Sequence, residues 1–178
     1  TLIAAGGWDR QLHVFSATSG DILNSIDHGA DVINSICFSP DGNTVYYGGT
    51  NGKLFQFSVQ RSEALLIYQR RRAITSLAVD QRNRTIAVGF QDGQINVIPA
   101  SSIAGRTERS SINPSKTLIG HTKRVASLDF CKVTSRLASG SWDNSVRVWN
   151  LETEKTETLF QRLNLDLVGF KSFSVQFS

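Results

Sequence analysis

An internal repeat constrains this chain more than any other feature. Four segments share one template: AAGGWDRQLHVF (residues 4–15), YYGGTNGKLFQF (46–57), AVGFQDGQINVI (87–98) and ASGSWDNSVRVW (138–149). In each, an apolar run reaches a Gly, a turn residue follows three positions later, and an alternating apolar strand resumes. The turn residues Asp9, Asn51, Asp92 and Asp143 lie 42, 41 and 51 positions apart. A second template precedes three of these segments: VINSICFS (32–39), AITSLAVD (73–80) and VASLDFCK (125–132). Its central serines, Ser35, Ser76 and Ser127, are again 41 and 51 apart. FSVQFS (173–178) repeats the same pattern, with Ser174 another 47 residues on.

Each unit therefore consists of short strands with period-2 alternation, broken by Gly, Asp and Asn turns. Four short strands in roughly 40–45 residues are the mark of a propeller blade. No stretch offers helical periodicity with caps, so helical solenoids are excluded, and composition excludes collagen and coiled coil. The expected fold is all-β, a β-propeller with about four blades present. The units are expected at about 1–28, 29–70, 71–120 and 121–170, with 171–178 starting the next. Two accounts fit the ends: a closed four-bladed ring completed by strand exchange, or an excerpt of a larger ring. The absence of Met and the abrupt ending favour the excerpt.

Composition narrows the class further. The 178 residues are 40% hydrophobic, too apolar for disorder, and no apolar run reaches the roughly 18 residues of a membrane-spanning helix. Cys37 and Cys131 are too few for a disulfide framework and wrongly spaced for zinc. No signal-peptide pattern opens the chain, and the sequon at Asn83 carries little weight without one. The expectation is an intracellular protein, in cytoplasm or nucleus, without a membrane partner.

The fourth unit resembles the WD40 repeat family. It carries Gly120-His121, then Ser139, Asp143 and Trp149, and ends Trp149-Asn150 where the family usually has Trp-Asp. The resemblance implies that His121, Ser139, Asp143 and Trp149 form a hydrogen-bonded tetrad inside the blade. A buried carboxylate on a tight turn needs donors, and those residue types supply them. The other units are degenerate: they end Val14-Phe15, Gln56-Phe57 and Val97-Ile98, without the Trp. His28 stands near the histidine position of the second unit, and Gln69 or Arg70 near that of the third.

Catalysis finds no support. His13, His28 and His121 are the only histidines, and none sits in a metalloprotease, nucleophile-elbow or zinc-ligand pattern. His121, Ser139 and Asp143 hold the ingredients of a triad, but the tetrad accounts for all three. The glycine pairs lead into strands rather than helix N-termini, and the turn carboxylates are too dispersed for calcium. No cofactor, metal or small-molecule substrate is expected.

Charge is more informative. Residues 60–124 hold eleven Lys or Arg against four acids, a net +7 in a chain of net +4. Arg70-Arg71-Arg72 and Lys123-Arg124 fall at corresponding junctions between units. With the four strands of a unit lettered a to d, the serine template being a and the Gly-turn segment spanning b and c, these d–a connections emerge in a propeller on the same face as the b–c turns. Trp8 and Trp142 precede turn residues there, where an exposed indole favours a partner. Phe90 is the only nearby aromatic that could stack a base.

The expected binding surface is Trp8, Trp142, Arg71, Arg72, Lys123 and Arg124. Its expected function is non-catalytic scaffolding of a multiprotein complex, with peptides or domains, acidic or phosphorylated, as partners. The alternative is a nucleic-acid or ribonucleoprotein factor, for example in ribosome assembly, that uses the basic sector at 70–124. An insertion at 99–115, rich in Ser, Pro, Arg and Gly, is expected to loop out on the opposite face, with Ser110 in a context that a basophilic kinase could read.

Overall fold

A computed structural model describes residues 1–27, 31–82, 84–103, 112–153, 156–161 and 175–176. His28, Ser110 and Ser174 lie outside the described residues. Fifteen strands and a single 3₁₀ turn at Ala100–Ser102 make up the regular structure of that set. The first sheet holds β1 (Leu2–Gly6), β2 (Gln11–Ser16) and β3 (Ile22–Asp27), in that spatial order. The second holds β4 (Ile33–Phe38), β5 (Thr44–Gly49), β6 (Lys53–Ser58) and β7 (Glu63–Gln69). The third holds β8 (Ile74–Val79), β9 (Thr85–Phe90), β10 (Ile95–Pro99) and β11 (Lys116–Leu118). The fourth holds β12 (Val125–Phe130), β13 (Arg136–Ser141), β14 (Ser145–Asn150) and β15 (Thr156–Gln161). All pairings are antiparallel meanders between chain neighbours. These are propeller blades of the WD40 type, stacked in chain order, β1 against β4, β4 against β8 and β8 against β12.

The core lies between sheets, which explains why the strands look apolar on both faces. Along β9, Ile86, Val88 and Phe90 point into a cluster with Tyr46, Leu54 and Tyr68 of the second sheet. Ala87, on the opposite face, packs with Val125, Leu128 and Trp149 of the fourth. In β5, Tyr46 faces the third sheet while Val45 and Tyr47 join Leu12 and Val14 of the first. Period-2 alternation thus sends successive side chains into different interfaces, each lined by buried apolar residues.

The repeated Gly has a steric cause. A Cβ on Gly48 would stand 2.7 Å from Ile74 Cδ1, and one on Gly89 would stand 2.8 Å from Val125 Cγ1 and 2.3 Å from Ser76 Oγ. Each Gly lies under the first residue of the next sheet's inner strand, so the blades can approach only where the side chain is missing.

The serine template marks a β-bulge. Register slips between Ile33 and Ser35, between Ile74 and Ser76, and between Val125 and Ser127. The extra residue is re-aimed at the neighbouring blade. Asn34 Nδ2 donates to Ile74 O at 2.8 Å, and Thr75 Oγ1 donates to Val125 O at 2.6 Å. Inter-sheet packing is thereby tied by backbone-directed hydrogen bonds as well as apolar contact.

Candidate protein-interaction face

The b–c turns are built alike in all four sheets. The turn residue's side-chain oxygen accepts the backbone N–H two residues on: Gln11 to Asp9 (3.2 Å), Lys53 to Asn51 (2.9 Å), Gln94 to Asp92 (3.3 Å) and Ser145 to Asp143 (2.9 Å). The intervening residue takes positive φ: Arg10 65°, Gly52 72°, Gly93 89° and Asn144 64°. The residue before the turn is fixed as well. Thr50, Gln91 and Trp142 donate their N–H groups to Val32 O, Ala73 O and Arg124 O at 3.0–3.1 Å. The turn tips are therefore held to the d–a connections of their own blades, and both lie on one face.

Beneath the fourth turn sits a closed polar chain. Trp149 Nε1–H donates to Ser139 Oγ (2.8 Å), whose hydroxyl donates to His121 Nε2 (2.7 Å), and His121 Nδ1–H donates to Asp143 Oδ2 (2.8 Å). This is the neutral Nδ1–H tautomer, which leaves both ring nitrogens satisfied. Asp143 also accepts Thr122 N–H (3.0 Å) and Ser145 Oγ–H (2.6 Å). Burial lowers the His121 pKa below the ordinary imidazole value, against the opposing pull of Asp143. Burial alone would raise the Asp143 carboxyl, but hydrogen bonds from Ser145, Thr122 and His121 outweigh it and hold the pKa at about 2. With a neutral imidazole this depression rests mainly on hydroxyl and N–H donors. Ser139 is 0% exposed and its oxygen already accepts the indole N–H, so no substrate can reach it as a nucleophile.

The third blade replaces this device with a guanidinium. Arg70 Nη2 meets Asp92 Oδ2 at 2.8 Å, and its head lies 4.8 Å from the centre of the Phe90 ring. Arg72 Nε is 3.6 Å from the same carboxylate. Arg70 thus occupies the place of the imidazole. Phe90, the one nearby aromatic that could have stacked a base, is fully buried beneath it and presents no surface. In the first blade His13 Nε2 pairs with Asp9 at 3.2 Å, and in the second Asn51 donates to Asp31.

Of the expected surface residues, Trp8 is 88% exposed and Trp142 36%. The Arg124 guanidinium lies 5.0 Å from the centre of the Trp142 ring, with its Nε buried and without a hydrogen-bond partner. Arg71, Arg72 and Lys123 are exposed on the adjoining connections. The two tryptophans do not converge: two sheets separate the blade of Trp8 from the blade of Trp142.

The family model described as "WD domain, G-beta repeat" matches residues 20–58 and 112–150. Curated relatives include a Periodic tryptophan protein 2 homolog of Dictyostelium discoideum, 28% identical over 153 residues, covering 84% of this chain and 16% of that protein. A guanine nucleotide-binding protein subunit beta of Solanum tuberosum is 27% identical over 155 residues, covering 83% of this chain and 40% of that protein. NET1-associated nuclear protein 1 of Saccharomyces cerevisiae is 30% identical over 107 residues, 60% of this chain and 11% of that protein.

The chain carries WD40 repeats.

It spans well under half the length of each of these relatives. In this WD40 chain the second matched segment contains His121, Ser139, Asp143 and Trp149. The first matched segment, 20–58, reaches Phe57, fully buried where the fourth blade has Trp149. Sequence reasoning missed Ser145, whose hydroxyl also lies 3.1 Å from His121 Nδ1, and the Asn96–Tyr68 hydrogen bond of 2.7 Å in the third blade. Ser145 follows the turn Asp by two positions, and that spacing is the one signal that could have found it. Among the described residues no group of three or more His, Cys, Asp or Glu could hold a metal, and no helix is long and apolar enough to cross a membrane.

Proposed function

We propose that this chain is a non-catalytic interaction scaffold of an intracellular protein complex, in cytoplasm or nucleus, binding partner proteins through its turn face. Trp142 with Arg124 forms one anchor, Trp8 a second, and Arg71, Arg72 and Lys123 supply cations for acidic or phosphorylated partners. The observation that carries this reading is the Trp142–Arg124 stack on a turn whose backbone is fixed by Asp143 and by the Trp142 N–H bond to Arg124 O. An aromatic and an arginine held in place before binding lose little freedom on contact, which is what interface anchors need. The wide separation of the two tryptophans supports multi-point recognition of a large partner rather than of one short peptide.

The ribonucleoprotein alternative rests on the net +7 of residues 60–124. It is weakened by Arg70, which is spent on Asp92, and by the burial of Phe90, because single-strand readers combine cations with exposed aromatic platforms. Two measurements separate the readings. Partner binding that tolerates salt and fails in Trp8→Ala and Trp142→Ala supports the protein scaffold. Binding that falls steeply with salt and ignores both substitutions supports nucleic acid and sinks the anchor assignment.

A further inference from the structure

A cleft opens between the third and fourth sheets on the face opposite the b–c turns, where the a–b loops of both blades meet. Its volume is about 270 Å³. Val97, Phe130 and Leu151 give it an apolar floor, and Arg82, Arg84 and Lys132 stand around it. All three cations are exposed. Of the carboxylates in the lining, Asp80 is engaged by the backbone N–H groups of Arg84 and Thr85, and Glu152 by Ser135 Oγ–H at 2.6 Å. Neither forms an ion pair with the three cations.

Three observations indicate what fits. The charge is particular to this boundary: the a–b turn of the second blade, Ser39–Asn43, holds Asp41 and no cation, whereas residues 81–84 and 132–136 hold two each. The rim also favours negative charge at the level of single donors. The N–H groups of Val133 and Thr134 and the Thr134 hydroxyl converge on Cys131, the hydroxyl being the strongest influence, and hold its thiol below the ordinary value. Finally, Val133 stands 83% exposed beside the opening, extending apolar surface out of the cleft. Phe130, the only aromatic in the lining, is buried, so no base-stacking platform is offered. The cleft admits one or two side chains rather than a folded domain or a nucleic-acid strand.

We propose that this cleft docks an extended acidic segment of a partner protein, with an aliphatic side chain on the Val97–Phe130–Leu151 floor and flanking carboxylates paired with Arg82, Arg84 and Lys132. The site is separate from the turn face, so one chain can hold two partners at once on opposite faces. Arg82 and Arg84 give it fork-shaped donors matched to carboxylates, with Lys132 a point charge across the opening.

The test is a selection from a displayed random heptapeptide library on the whole protein, followed by anisotropy measurements on synthesised, fluorescein-labelled winners. The variants are Arg82→Glu/Arg84→Glu/Lys132→Glu and, separately, Val133→Asp, all at exposed positions that leave the core untouched. The expected winners carry two or more acids around one aliphatic residue. They should lose roughly tenfold or more in affinity in the triple variant, weaken with Val133→Asp, and bind normally to Trp142→Ala. Winners without an acidic pattern, or winners indifferent to the triple variant, overturn the proposal. A labelled oligouridylate that binds and is released by the triple variant, in the absence of any acidic winner, assigns the cleft to nucleic acid and also overturns it. Because Trp142→Ala tests the turn face alone, failure of one site is distinguishable from failure of the other.

Discussion

Replacing Ser139 by Ala removes one oxygen and leaves two buried groups without partners. The Trp149 Nε1–H loses its acceptor and His121 Nε2 loses its donor, and neither can turn to water, because Ser139 is fully buried and Trp149 and His121 nearly so. A stranded buried polar group costs about 1–3 kcal/mol, so two cost about 2–6 kcal/mol, while the lost volume contributes little. Trp149→Phe should be milder: Ser139 still donates to His121, and only the indole hydrogen bond and some packing volume go, about 1–3 kcal/mol. In the double variant Ser139→Ala strands only His121, so the two costs must fall short of additivity by about 1–3 kcal/mol. Urea unfolding of the wild type, both single variants and the double variant measures this, provided the m-values agree. A Ser139→Ala cost below about 0.5 kcal/mol, or strict additivity, would refute the chain of donors drawn here.

Three further outcomes follow from the same geometry. His121 titrates below its unfolded value of about 6.5, so the folded state binds fewer protons in that range; its contribution is full above pH 6.5 and declines as pH falls towards the folded pKa, with Asp143 adding a second loss between about pH 4 and 2. Urea midpoints taken from pH 8 to 5 should fall in the wild type and fall less in His121→Gln. Gly93→Ala should destabilise by more than about 1 kcal/mol, since φ is 89° and the new Cβ would stand 2.4 Å from His121 O; a Tm within a degree of wild type would count against the turn geometry. Arg70→Gln should cost about 1–2 kcal/mol by leaving half-buried Asp92 with only the more exposed Arg72 at 3.6 Å and Phe90 uncovered, whereas Arg71→Gln should be silent in the same unfolding measurement.

The blade architecture was legible because its cause is local. Strand alternation, a Gly three residues before each turn Asp or Asn, and the 41–51-residue spacing all follow from packing sheet on sheet, and short sequence windows carry that information. The serine template was visible as a pattern but not as a bulge. Nothing in Asn34 or Thr75 says that each reaches across to Ile74 O or Val125 O, since those partners lie 40 and 50 residues away. The exchange of His121 for Arg70 was half-readable: position pointed to Gln69 or Arg70, and only the 2.8 Å contact with Asp92 separates them. Phe90 stayed an open candidate for stacking a base because its place beside a basic run does not say which way the strand aims it, and the strand aims it inward. The cleft between the third and fourth sheets was invisible, because its cations come from two loops roughly 50 residues apart in sequence, and nothing in either loop says that the fold brings them together.

The claim that the turn face recruits protein partners is tested most directly by affinity capture from extract. Wild type is compared with an Arg71/Arg72/Lys123/Arg124 charge-reversal variant, with and without RNase, and the captured proteins are quantified by mass spectrometry. Partners lost on reversal but retained through RNase treatment are the predicted result. An unchanged set on reversal, or a set released by RNase alone, would contradict protein recognition through that face.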